Sequence, residues 1–200
     1  MMRKKCSLII LILCAAFGNT TAGGGWPQPK GAIYFKLSQW WIIYDQYYDE
    51  NGMVLSDRTR SIGHTSIYAE YGITDRFTAI AYMPFFSKAT LFEQLNTQSG
   101  NIVEEGDKVT SVGDAQVAIK YNLINDKTAP VNISLSTILG IPLGESNGGY
   151  DGTLQTGDGE FNQMLRVDAS GSVKIGNLYP YYSVYAAVNN RKKVFLMTID

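Results

Sequence analysis

The chain has 200 residues, a formal net charge of −1, 20 glycines and 13 tyrosines. A near-zero charge gives no sign of a nucleic-acid partner. Both cysteines, Cys6 and Cys14, lie in the first 22 residues, so the rest of the chain supplies neither a catalytic thiol nor a cysteine-ligated metal.

Arg3, Lys4 and Lys5 precede a mostly apolar stretch from Ser7 to Phe17, which is short for a bilayer span. Thr20-Thr21-Ala22 then offers small residues, so residues 1–22 read as a secretory signal peptide cleaved after Ala22. Leu13 before Cys14 argues against a lipobox. Beyond the leader no apolar run is long enough for a helical membrane span.

Residues 23–191 read as one all-β region. Gly23 to Lys30 is a glycine- and proline-bearing lead-in. The alternation predicts strands over Gly31–Tyr44, Arg60–Ile73, Arg76–Ser87, Val112–Ile124, Val131–Ile141, Phe161–Ile175 and Tyr181–Asn189. In the fourth, Ala115, Val117, Ile119, Tyr121 and Leu123 share one face, and Asp114, Gln116, Lys120 and Asn122 the other. In the sixth, Leu165, Val167, Ala169, Val173 and Ile175 oppose Arg166, Asp168, Ser170, Ser172 and Lys174.

The connections alternate in length. Asp45–Thr59, Lys88–Ser111 and Pro142–Glu160 are long and polar, whereas Thr74-Asp75, Asn125–Pro130 and Gly176–Pro180 are short. Membrane barrels sort their loops in this way, and a soluble sandwich has no reason to. Trp40, Trp41, Tyr44, Phe85, Phe86 and Phe161 lie near the long-loop ends, and Tyr71, Phe77, Tyr121, Tyr179 and Tyr181 near the short ones. Two such bands match two membrane interfaces. The expected fold is an antiparallel transmembrane β-barrel of about seven strands, apolar sides outward, in a cell outer membrane. Its expected partners are outer-membrane lipids, small-molecule solutes and the barrel-assembly machinery.

Gly72-Ile73-Thr74-Asp75-Arg76-Phe77, Gly113-Asp114-Ala115, Gly140-Ile141-Pro142-Leu143-Gly144 and Gly157-Asp158-Gly159 together resemble outer-membrane barrels of the phenol-degradation MetA-pathway type. Those barrels are in turn distantly similar to long-chain fatty-acid transporters. The resemblance implies a pore-like protein handling small, hydrophobic compounds, and it supplies no catalytic residues. The chain departs from that pattern at residues 192–200, an atypical tail that ends on Asp200 instead of a terminal aromatic. Seven strands is also an odd number for a bacterial barrel. The expectation is therefore an incomplete, C-terminally truncated or frameshifted barrel.

Three sets of side chains compete for a function. Asp114, Lys120, Arg166, Asp168 and Lys174 would line a lumen, tuning permeation or pairing across strands. His64, Ser66, Tyr68 and Glu70 share one strand face, and His64, Ser66 and Glu70 admit a lipid-hydrolase alternative. The tyrosine-rich first loop and the Gly/Asp-rich third loop would instead suit a purely structural or surface-interaction protein. No metal or other cofactor is expected. His64 is the lone histidine, the acidic loop lacks EF-hand spacing, and the glycines form no phosphate-binding fingerprint. Passive passage or binding, with no enzymatic chemistry, is the leading expectation.

Overall fold

The computed structural model describes residues 24–48, 51–55, 58–95, 102–124 and 129–193. The expected leader and its cleavage point lie outside them, as does the tail beyond Lys193. In chain order the strands are β1 (Ile33–Tyr44), β2 (Tyr47–Tyr48), β3 (Val54–Leu55), β4 (Arg60–Gly72), β5 (Phe77–Leu91) and β6 (Gln94–Leu95). They continue with β7 (Ile102–Glu104), β8 (Asp107–Ser111), β9 (Ala115–Asn122), β10 (Val131–Ile141), β11 (Glu160–Ser172) and β12 (Tyr181–Lys193).

The fold is all-β and antiparallel, as the alternation predicted. One sheet follows the order β1-β4-β5-β9-β10-β11-β12, with β8 also on β5, and it curls into a half-barrel. The chain leaves β1, β5 and β10 at one end of the sheet and β4, β9 and β11 at the other, so the long connections of the sequence start at one end and the short ones at the other. Six antiparallel steps separate β1 from β12, so the two edge strands run in the same direction. Two small hairpins, β2-β3 and β6-β7, decorate the long loops.

The distribution of burial is inverted relative to a water-soluble domain. Val117, Ile119, Leu165 and Val167 are 42%, 46%, 46% and 42% exposed on the convex face. Ser134, Asp168 and Ser170, by contrast, are buried on the concave face. A small cluster of buried hydrophobic residues lies at the long-loop end, where Ala89, Leu91 and Leu154 meet with Val109 at their margin.

Two features depart from strict alternation. The β4/β5 register shifts between Thr65 and Ser66, which pair with Phe86 and Pro84 and leave Phe85 as the extra residue of a bulge. The shift reverses the parity of β5, so Ser87, Ala89 and Leu91 turn inward. The expected loop over 88–111 is accordingly too long. β5 continues to Leu91 and β8 returns beside it, pairing Ser87 with Ser111 through Leu91 with Asp107. The charges of Lys88, Asp107 and Lys108 obscure this extension in the sequence. Between β8 and β9 the ladder breaks at Pro84, which lacks a backbone donor; its carbonyl accepts from Gly113 N at 2.7 Å.

The short turn after β4 explains the Gly-Ile-Thr-Asp-Arg-Phe stretch residue by residue. Thr74 Oγ1 accepts from Phe77 N at 3.0 Å and Arg76 N at 3.2 Å, which closes the turn. Asp75 Oδ1 accepts from Lys30 N at 3.1 Å, and Arg76 Nη1 donates to Tyr121 Oη at 3.4 Å.

Candidate functional site

The concave face is occupied. Residues 24–32, read from the sequence only as a lead-in, cross it at the short-turn end. Gly25 N donates to Ser170 Oγ of β11 at 2.8 Å, and Gln28 N to Thr78 Oγ1 of β5 at 2.9 Å. From β9, Asn122 Nδ2 donates to Gly25 O at 2.8 Å and Lys120 Nζ to Trp26 O at 3.3 Å. Gln28 Nε2 reaches Glu70 Oε2 of β4 at 2.9 Å, and the Trp26 ring lies 5.1 Å from that of Tyr181 in β12. The segment then joins the β1 edge, where Gly31 N donates to Gly72 O at 2.7 Å. An irregular backbone shut inside a fold needs partners for its polar groups. Ser170, Thr78 and Asn122 of the concave face provide partners for Gly25 and Gln28.

Beside this segment lies a charged cluster. Glu70, Lys120 and Asp168 are 1%, 3% and 1% exposed. Lys120 Nζ stands 3.9 Å from Glu70 Oε1, which also accepts from the Tyr68 hydroxyl. Arg166 donates through Nε to Asp168 Oδ1 at 2.9 Å and lies 4.3 Å from the Tyr185 ring centroid. Two cations and two anions balance, as burial of charge demands.

Two cavities run from this cluster toward the long loops. The lower, about 120 Å³, is bounded by Gly24, Tyr68, Tyr82, Lys120, Arg166 and Asp168. The upper, about 350 Å³, is bounded by Asp114, Asn162, Arg166, Tyr185, Asn189 and Arg191. Gln116, Ile138 and Arg166 line both, so the two spaces adjoin.

Of the five expected lumen residues, Lys120, Arg166 and Asp168 therefore meet on the concave face. Asp114 sits higher and acts as a clasp. Its Oδ1 accepts from Gly144 N at 2.9 Å and its Oδ2 from Asp158 N at 2.7 Å. A Cβ on Gly157 would stand 2.1 Å from Asp114 Oδ1, and one on Gly144 only 2.6 Å from Gly157 N. Three of the glycine-bearing stretches singled out in the sequence thus converge on one carboxylate. Lys174 lies beyond β11 in the turn to β12, exposed, 5.8 Å from the Tyr179 ring.

His64, Ser66 and Glu70 share the concave face, yet the hydrogen bond of His64 goes elsewhere. His64 Nδ1 lies 2.6 Å from Ser87 Oγ, its direct partner in the β4/β5 register, and the ring lies 4.7 Å from that of Trp40. Ser66 and Ser87 are 2% and 0% exposed. Gly113 lies over Ser87, where a Cβ would stand 2.9 Å from its Oγ. The sequence offered no sign of the His64–Ser87 pair, because the bulge at Phe85 alone turns Ser87 inward.

The long loops are tied to one another. Arg58 pairs with Glu104 at 2.7 Å and Asp151 at 3.1 Å, joining all three loops. Tyr150 donates from its hydroxyl to Glu104 at 2.8 Å and from its backbone N–H to Asp107 Oδ2 at 2.7 Å. Glu104 and Asp107 of the acidic run Glu104-Glu105-Gly106-Asp107 are thus engaged by neighbouring loops. Among the described residues no cluster of acidic, histidine or cysteine side chains could hold a metal ion.

No protein-family model matches this chain, and comparison with curated proteins gives no match.

Proposed function

We propose that this chain forms the wall of an outer-membrane β-barrel that binds small molecules and passes them without chemistry. The observation that carries the reading is the inversion of the sheet: hydrocarbon side chains stand exposed on the convex face while ionised and hydroxyl side chains are buried on the concave face. In lipid this arrangement leaves each side in its preferred medium. In water it would expose Ile33, Leu37, Trp41, Val184 and Val188, each more than half exposed. Strand lengths agree, because a tilted crossing needs about 9–11 residues and β1, β4, β10, β11 and β12 have 12, 13, 11, 13 and 13. The sorting of long and short connections supports the same topology.

Within this reading, a solute enters from the long-loop end and meets a polar, charge-balanced site at Arg166, Lys120 and Asp168. The segment 24–32 narrows the short-turn end, so the protein behaves as a restricted binding pathway and not as an open pore. The resemblance to MetA-pathway-type barrels points to small hydrophobic cargo, whereas the side chains along the two cavities favour compounds with polar groups. The barrel would be exported by its leader and inserted by the assembly machinery.

The test is reconstitution of the chain into lipid vesicles with entrapped solutes of graded size and polarity. Insertion that resists alkaline carbonate, with selective leakage of small solutes, is the expected result. A chain that stays in the aqueous fraction overturns the membrane assignment, and an inserted chain that passes and binds no solute overturns the transport assignment.

A further inference from the structure

The convex face of the eight-stranded sheet is almost free of charge. Within the paired strands its charged residues among those described are Lys88, Lys108 and Lys192, all cations and all at the long-loop end, while at the short-turn end Arg76 reaches over to Tyr121 of the same face. Lys88 lies next to a notch. Gly63, its cross-strand partner, has no side chain, and Trp41 and Phe86 stand on either side as partners of Gly63 and Thr65. The result is a pocket of about 270 Å³ whose lining includes Gln39, Trp41, Gly63, Thr65, Phe86 and Lys88. Lys108 is paired with Thr90, diagonal to Lys88, a relationship that brings side chains within roughly 7–8 Å.

We infer that this notch is a binding site for the phosphorylated headgroup of a glycolipid in the leaflet at the long-loop end; the assignment rests on the membrane reading above. A cation at the end of a hydrocarbon wall meets the phosphate of a lipid whose chains run down that wall. Trp41 and Phe86 offer flat apolar faces to a sugar ring, and Gln39, Ser61, Thr65 and Thr90 offer donors and acceptors for its hydroxyls. Gly63 makes the room: a Cβ there would press on Trp40 O at 3.3 Å and fill space in ordinary contact with Trp41 Cβ at 3.6 Å.

The experiment is native mass spectrometry of the full chain released from detergent micelles and titrated with diphosphoryl lipid A or its phosphate-free form. The expected result is retention of the diphosphoryl form about tenfold more tightly, from one charge-assisted contact. K88Q should erase that preference and K88R should keep it. W41A, which leaves the cation in place, should weaken retention of both forms. Equal retention of the two lipids, or a preference that survives in K88Q, overturns the site. Inorganic phosphate that binds alone as tightly as the lipid would assign the notch to a free anion and overturn the lipid. Carbonate extraction of the same preparation separates the two levels. A chain outside the bilayer defeats the membrane reading, and an inserted chain without phosphate preference defeats this site alone.

Discussion

Gln28 Nε2 and Glu70 Oε2 meet at 2.9 Å inside the curled sheet, joining an amino-terminal segment to a strand 42 positions away in sequence. Glu70 is 1% exposed, so Gln28 supplies part of the solvation that its carboxylate has lost. Gln28→Ala should therefore destabilise the fold by about 1.5–3 kcal/mol, the range for a hydrogen bond to a charged group. Urea titration in micelles would measure it. An unchanged midpoint would show that the segment does not hold the sheet.

Removal of the buried cation is expected to be worse. Lys120→Met takes from Glu70 the cation paired with it and leaves it the neutral donors Gln28 and Tyr68, while Asp168 keeps Arg166; breaking such a buried pair costs about 3–5 kcal/mol. The double replacement Lys120→Met with Glu70→Gln should recover much of that loss. Failure of the second change to rescue would place the cost in packing and not in charge.

Gly72 marks where the amino-terminal segment presses on β4, since a Cβ there would lie 1.9 Å from Pro29 O. Gly72→Val should push the segment off the concave face at a cost of about 1–3 kcal/mol, as for other overpacked sites. Vesicle leakage of small solutes should rise. Unaltered leakage in a folded, inserted variant would remove the segment as the restriction.

Leu165 tests the medium outside the sheet. It is 46% exposed on the convex face. Leu165→Arg should weaken insertion and folding in lipid by about 2–4 kcal/mol if the residue lies near the bilayer midplane. In a water-soluble protein the same exposed substitution would be close to neutral. Folding yield into vesicles, read by heat-modifiable gel mobility, distinguishes the two.

The loop clasp should respond to acid. The Thr153 hydroxyl, then the Thr153 backbone N–H, and further the Arg58 guanidinium hold the Asp151 carboxyl below its ordinary value of 3.8. A group whose folded value is depressed stabilises fully above its ordinary value, and that contribution is lost as pH falls through the lowered one. The tie from Arg58 to the third loop should accordingly hold at neutral pH and loosen below about pH 4. Amide exchange of residues 145–158 would report it. Asp151→Asn should show the loosened pattern at neutral pH, whereas protection in that variant equal to the parent's at pH 7 would contradict the assignment.

The period-two alternation of Ala115–Leu123 and Val131–Ile141, with the long and short connections, indicated seven strands of the main sheet and their order but missed β8 and ran the fourth and sixth strands past their ends. Local backbone geometry and side-chain polarity carry that information, so each strand is legible from its own residues. The lumen set was legible in part: Lys120, Arg166 and Asp168 show as charges on the polar faces of their strands, and the sheet brings them together. Other features depended on the folded chain. A one-residue bulge at Phe85 changes which side Ser87 takes, and nothing in the pattern announces it. The passage of residues 24–32 across the concave face, and the convergence of Gly144, Gly157 and Asp158 on Asp114, join positions 30 to 145 residues apart. Alternation assigns each residue a side of its own strand. Only the curling of the sheet decides which distant groups that side will face, because long-range hydrogen bonds depend on closure in space and not on neighbours in sequence.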